Sequence, residues 1–164
     1  MSPLAICQAL QDSAIGTSIR ESVWVFPIIE SVHVLALSLS VGIIIMLDLR
    51  LIGAGMRHTS ISQIVDGLKP WYLTGFALMF ASGALLFWSE AAKAYESGSF
   101  RFKMMFLLLA GINALIFEIR YKPTASVWDG KAHTPSGARV VGWCSIVFWI
   151  GVIAMGRWTA YGMR

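Results

Sequence analysis

Charge is scarce in this chain, and cysteine is nearly absent. Of 164 residues only 13% are Asp, Glu, Lys or Arg, against 57% hydrophobic, and the mean hydropathy is +0.68. Such a balance excludes a soluble domain, and the length leaves room for one small bundle. The two cysteines, Cys7 and Cys144, fall in an N-terminal segment and inside an apolar run, with no CxxC or Cys/His ligand spacing. A disulfide framework and a zinc module are therefore excluded. No Walker loop or nucleophile elbow occurs, so soluble-enzyme chemistry has no foothold and the chain is not expected to be an enzyme on its own. No internal repeat is present, which counts against inverted-repeat transporter folds. The net charge of +4 comes from 13 basic and 9 acidic residues without a basic cluster. Lipid headgroups rather than nucleic acid are the expected partner of that excess. The first 22 residues lack the basic start and long apolar core of a secretory signal, so they are expected to be retained.

Long apolar runs are what the chain has in abundance. A hydrocarbon core of about 30 Å needs about 20 apolar helical residues. Pro27 to Leu47 supplies them, and three further runs follow at Trp71–Trp88, Phe102–Phe117 and Val140–Trp158. The expected fold is all-α: an antiparallel four-helix transmembrane bundle with spans at about 23–51, 70–90, 101–120 and 139–160. Residues 1–22 form a separate N-terminal interfacial amphipathic segment, one short helix starting at Ser2-Pro3 and ending at Gly16. Ser18 and Glu21 fit a capping box for the first span, and Pro27 either kinks that span or opens it. The connections are Gly53–Lys69, Ser89–Arg101 and Tyr121–Gly137, with His58 and His133 in two of them.

Four crossings put both termini on one face. The aromatic residues agree: Trp24, Trp88, Tyr95, Trp158 and Tyr161 fall on the terminal face, Trp71, Tyr72, Trp128 and Trp143 on the other. Six basic residues lie on the terminal face and seven on the far one, which by the positive-inside rule puts both termini outside.

The first span is not purely apolar. Glu30, His33, Leu37, Ser40, Ile44 and Asp48 recur at three- and four-residue intervals and so share one face. Charge at the centre of a span costs roughly 2.5–3.5 kcal/mol per group on insertion scales, so Glu30 and His33 are expected to face protein. By depth, His33, Ser82 and Asn113 form one polar layer nearer the termini, with Glu30 level with Arg157. Asp48 falls level with Glu118, Arg120 and Arg139, and ion pairs are expected at both ends.

Several chemistries compete for these residues. Polar groups between spans can simply join helices, helped by the small residues Ala77, Ala81, Ala84, Gly111, Gly142 and Gly151. His33 can instead be an axial ligand to the iron of a b-type haem held between facing helices, with Met79 or Met155 as sixth ligand or the iron five-coordinate. Glu30-x-x-His33 is half of a carboxylate-bridged di-metal motif, which normally comes twice. Glu30, His33 and Asp48 can also make a proton or ion path, although His33 and Asp48 lie about 22 Å apart along the helix. The eight methionines, Met104 and Met105 among them, suit core filling better than copper binding.

The segments WVFPIIESVHVLALSLSVG, LDLRLIG, KPWYLTGFALMFASGALLF, FRFKMMFLLLAGINALIF and GRWTAYG resemble an uncharacterised family of small four-span bacterial membrane proteins, a domain of unknown function. The residues that carry the likeness are Pro27, Glu30, His33, Asp48, Arg50, Pro70, Trp71, Gly75, Lys103, Asn113, Arg157 and Tyr161. The resemblance implies the same architecture and a bacterial cytoplasmic (inner) membrane, with the termini then periplasmic. It implies no mechanism. The resulting expectation is a non-catalytic anchor or accessory subunit whose partners are lipids and other membrane or periplasmic subunits, or further copies of itself. It binds one b-type haem or quinone through His33, Asn113, Glu30 and Arg157. The competing expectations are a small ion, proton or solute transporter using Glu30, His33 and Asp48, and a purely structural subunit without cofactor.

Overall fold

The computed structural model describes residues 2–56, 59–128 and 134–162; His58 and His133 lie outside them. Among the described residues every regular element is helical. Two short helices, α1 (Pro3–Gln11) and α2 (Ala14–Glu21), precede the first long one. Ser2 Oγ accepts the Ala5 N–H at 3.3 Å and Pro3 occupies the first turn, so α1 starts where the sequence placed it. It does not run to Gly16. Ser13 breaks it, because one hydroxyl serves both helix ends: it donates to Leu10 O at 2.6 Å and accepts the Gly16 N–H at 3.3 Å. Gly16 sits inside α2, where a Cβ would lie 2.5 Å from Gln11 O. Ser18 and Glu21 are likewise inside α2 and form no capping box; Ser22 Oγ accepts the Val25 N–H instead.

This N-terminal hairpin is docked on the bundle. Arg20 Nη1 donates to Gln11 O at 3.1 Å and to Ser89 O at 3.3 Å, Trp88 Nε1 donates to Ser13 Oγ, and Gln11 Oε1 accepts the Ala92 N–H. A hydrogen bond to a charged donor contributes about 1.5–3 kcal/mol when buried, and less at this half-buried site. Arg20→Ala is therefore expected to loosen the hairpin while leaving the long helices intact. Amide exchange should accelerate in α1 and α2 alone; unchanged protection would show that Arg20 does not hold them.

Four helices are long and apolar enough to cross a bilayer: α3 (Val25–Ile52), α4 (Ile61–Ser89), α6 (Gly98–Ile116, continued to Thr124) and α8 (Ser136–Gly162). Pro27 lies in the first turn of α3, where its missing N–H costs nothing, so it opens the span rather than kinking it. Gly53 ends α3 in the left-handed conformation, φ 79°. Helix α4 starts nine residues earlier than the sequence suggested. Ser60 caps it, Ile61, Ile64 and Val65 are buried beneath its first turns, and it passes through Pro70 on an exposed face, where the lost bond is tolerated. Helix α5 (Ala91–Glu96) bridges α4 to α6. At its far end α6 widens into a π-turn over Phe117–Tyr121 and tightens to a 3₁₀ turn over Lys122–Thr124, before α7 (Ala125–Trp128).

The packed pairs are α3 with α4, α3 with α8, and α6 with α8, each antiparallel. Helices α4 and α6 are not a packed pair along their length; Phe87 stacks on Phe100 at 5.6 Å across the seam between them. The mid-bundle core holds Ala36, Val41, Met79, Ala110, Trp149 and Val152. A second core at the far end joins Leu51, Ile61, Val65, Phe117, Ala125 and Trp128. Trp128 therefore belongs to that core rather than to an aromatic belt, with Nε1 donating to Thr124 Oγ1.

Helix contacts use different small residues from those expected. Gly142 and Gly151 do sit at interfaces, but Ala77, Ala81, Ala84 and Gly111 are exposed on the outer surface. Gly75, Gly83 and Gly156 take their place, because the buried stripe of α4 runs through Gly75, Met79 and Ser82.

Candidate intramembrane polar site

His33 lies half-buried on α3 against α4. Its Nδ1 is 3.0 Å from Ser82 Oγ. Ser82 has one proton, and its hydroxyl donates to Leu78 O at 2.6 Å, one turn back in its own helix. With the Ser82 proton on a backbone carbonyl, Leu78 O or Met79 O at 3.2 Å, its oxygen accepts from His33 Nδ1–H, and in that tautomer the lone pair lies on Nε2. Gly83 makes the close approach feasible: a Cβ there would stand 3.1 Å from His33 Cε1.

The neighbours of His33 differ from those expected. Asn113 is not in this layer. Its Nδ2 donates to Val141 O at 3.0 Å, joining α6 to α8 about 15 Å farther along the bundle than Lys103. The depth estimate erred because α6 begins at Gly98, so Asn113 lies about 22 Å into its helix whereas His33 lies about 12 Å into α3. Lys103 is the α6 residue level with His33. Its stem lies along Gly156 of α8, and its ammonium is close enough to act electrostatically on His33. Glu30 also acts on His33 but is exposed, one turn nearer the terminal face, rather than turned inward. Arg157 is exposed too and is not an ion-pair partner of Glu30: its guanidinium lies 5.3 Å from the Tyr161 ring centroid, with Nη2 donating to Tyr161 Oη. The site thus brings together His33, Ser82 and Lys103, with Glu30 and Arg157 at the rim. Lys103 was legible in sequence only as one of the residues that carry the family likeness and as a lone charge near the start of an apolar run.

Asp48 forms a separate feature. It is 3% exposed at the α3–α8 crossing, has the Ser145 hydroxyl in hydrogen-bonding reach, and its Oδ2 has no partner among the described residues. The expected ion pairs do not form there: Glu118 pairs with Lys122 on its own helix, and Arg120 and Arg139 are exposed. Arg50, buried two residues on, donates from Nε to Thr59 O at 2.7 Å. Among the described residues no three His, Cys, Asp or Glu side chains converge, so Glu30-x-x-His33 has no second half there. Between His33 and Asp48 the interior is filled by Phe76, Met79 and Trp149.

Four apolar helices among the described residues, α3 and α4 joined by the His33–Ser82 hydrogen bond and α6 and α8 by that of Asn113 to Val141 O, define an α-helical multi-pass membrane protein. The chain belongs to the Family of unknown function (DUF6644), whose family model matches residues 16–162. No curated protein and no solved structure matches it.

Proposed function

We propose that this protein is a non-catalytic anchor or accessory subunit of a bacterial inner-membrane complex, with both termini periplasmic, and that His33 holds a redox cofactor, one b-type haem or a quinone. The observation that carries this reading is the hydrogen bonding of His33. An imidazole whose Nδ1–H is tied to a fixed acceptor and whose Nε2 keeps its lone pair is in the state of a ligating histidine. The described residues offer no second histidine, so a haem there takes a methionine or stays five-coordinate. The decisive measurement is the absorption spectrum of detergent-purified protein. A Soret band that disappears in His33→Ala, with the helical fold intact, supports haem. A colourless protein that also retains no quinone sinks the cofactor reading.

A second reading, a small ion or proton transporter, draws support from Asp48 alone, whose buried oxygen lacks a partner among the described residues. It predicts cation or proton flux in proteoliposomes that Asp48→Asn abolishes. Equal flux in the variant removes Asp48 from any such path. The packed layer of Phe76, Met79 and Trp149 between His33 and Asp48 favours the first reading.

A further inference from the structure

We infer that Asp48 is a proton-binding site: its carboxyl group is held as the neutral acid inside the α3–α8 crossing and exchanges its proton with water at the far end of the bundle. The inference deepens the second reading above and rests on it for any part in transport. Three observations converge. Asp48 is buried, and its Oδ2 has no hydrogen-bond partner among the described residues, while the other carboxyl oxygen has the Ser145 hydroxyl. One neutral donor falls short of what a buried carboxylate needs, which is a charge compensated and both oxygens satisfied. A proton on Oδ2 removes the charge with no further group. Secondly, no counter-charge is turned towards the carboxyl among the described residues. On its own helix Arg50 is two residues on, about 200° round the axis, and donates to Thr59 O. On α8 Arg139 is exposed; on α6 Glu118 pairs with Lys122, and Arg120 is exposed; on α4 Asp66 and Lys69 are exposed. Thirdly, the crossing is too tight for a coordinated cation. A Cβ on Gly142 would stand 3.1 Å from Ile52 Cγ2 and 3.2 Å from the Asp48 carbonyl oxygen. A hard cation takes about six oxygens or more, where Asp48 and Ser145 side chains supply three. A proton needs one oxygen and no cavity. Asp48 lies about 6 Å before the end of α3 at Ile52, so a small opening of the crossing admits water to it. Exchange is then transfer of the Oδ2 proton to that water: the O–H bond breaks, its electron pair stays on the carboxylate, and hydronium carries the proton away.

The test is infrared spectroscopy of full-length detergent-purified protein across a pH series. A carboxylic-acid carbonyl band at neutral pH is expected, lost in Asp48→Asn and unchanged in Asp66→Asn, which alters an exposed carboxylate. Ser145→Ala removes the donor that favours the ionised form, so the band should persist to higher pH. Stability carries the matching sign. Between the ordinary carboxylate range, about pH 4, and neutrality the unfolded chain releases this proton and the folded chain keeps it. The wild-type unfolding constant should therefore rise about tenfold per pH unit relative to that of Asp48→Asn. No Asp48-dependent acid band at neutral pH overturns the inference, and stabilisation of the wild type alone by sodium or potassium assigns the carboxylate to a cation instead. Where Asp48→Asn does not fold, the upward shift in Ser145→Ala decides, and its absence overturns the inference. An acid band without proton flux in proteoliposomes removes the transport reading and leaves the inference standing. Flux that Asp48→Asn abolishes, without the band, does the reverse.

Discussion

Gly142→Leu is expected to destabilise the protein by about 3 kcal/mol, whereas Gly111→Leu leaves it unchanged. At Gly142 an added Cβ would stand 3.1 Å from Ile52 Cγ2, 3.2 Å from Leu51 Cβ and 3.2 Å from the Asp48 carbonyl oxygen. The last of these is helical backbone near the end of α3, which cannot step aside as a side chain would. Forcing methylenes into a packed contact costs about 1–3 kcal/mol, and an immovable neighbour puts this site at the upper end. At Gly111 nothing lies within 4 Å, and the new side chain meets only the outer surface. Both substitutions add the same apolar bulk and remove the same backbone freedom, so the difference isolates the α3–α8 contact. Unfolding in mixed detergent, followed by circular dichroism, measures it. Equal losses in the two variants would mean that α3 and α8 do not cross at this register.

Asp48→Asn is expected to stabilise the fold by about 1 kcal/mol or more, the opposite sign from most substitutions in a core. Burying an ionised carboxylate costs several kcal/mol unless a cation or a full set of donors compensates it. Here, among the described residues, Ser145 is the one side chain that hydrogen-bonds the carboxyl, and Oδ2 has no partner. Asparagine keeps the shape and the acceptor, and removes the charge. Asp48→Ala should instead lose about 1–3 kcal/mol, because Ser145 then loses its partner and a void opens. If Asp48→Asn proves markedly less stable, a bound cation compensates the carboxylate. If it is more stable, the wild-type residue is kept against the interest of stability, which is the mark of a functional group.

The four spans were legible because crossing a membrane is a one-dimensional requirement. Length and hydropathy are properties of each segment alone, and Val25–Ile52 satisfies them whatever its neighbours do. The same holds for Ser2 and Pro3 at the start of α1, where the cap is made within three residues. Ser13 was not legible in this way. Its bonds to Leu10 and Gly16 are local, but the third bond to the same hydroxyl comes from Trp88, far along the chain.

Sequence alone thus determined that the chain is an all-helical membrane protein and that His33 and Asp48 are its costly residues, since transfer into hydrocarbon depends on residue type. Tertiary structure decided which residues meet them. Asn113 went to Val141, Lys103 to His33, Glu30 to the surface and Asp48 to Ser145, because the slide and rotation of one helix against another are fixed by contacts at Gly75, Gly83, Gly142 and Gly156. Those contacts depend on two surfaces at once, and no single segment carries that information.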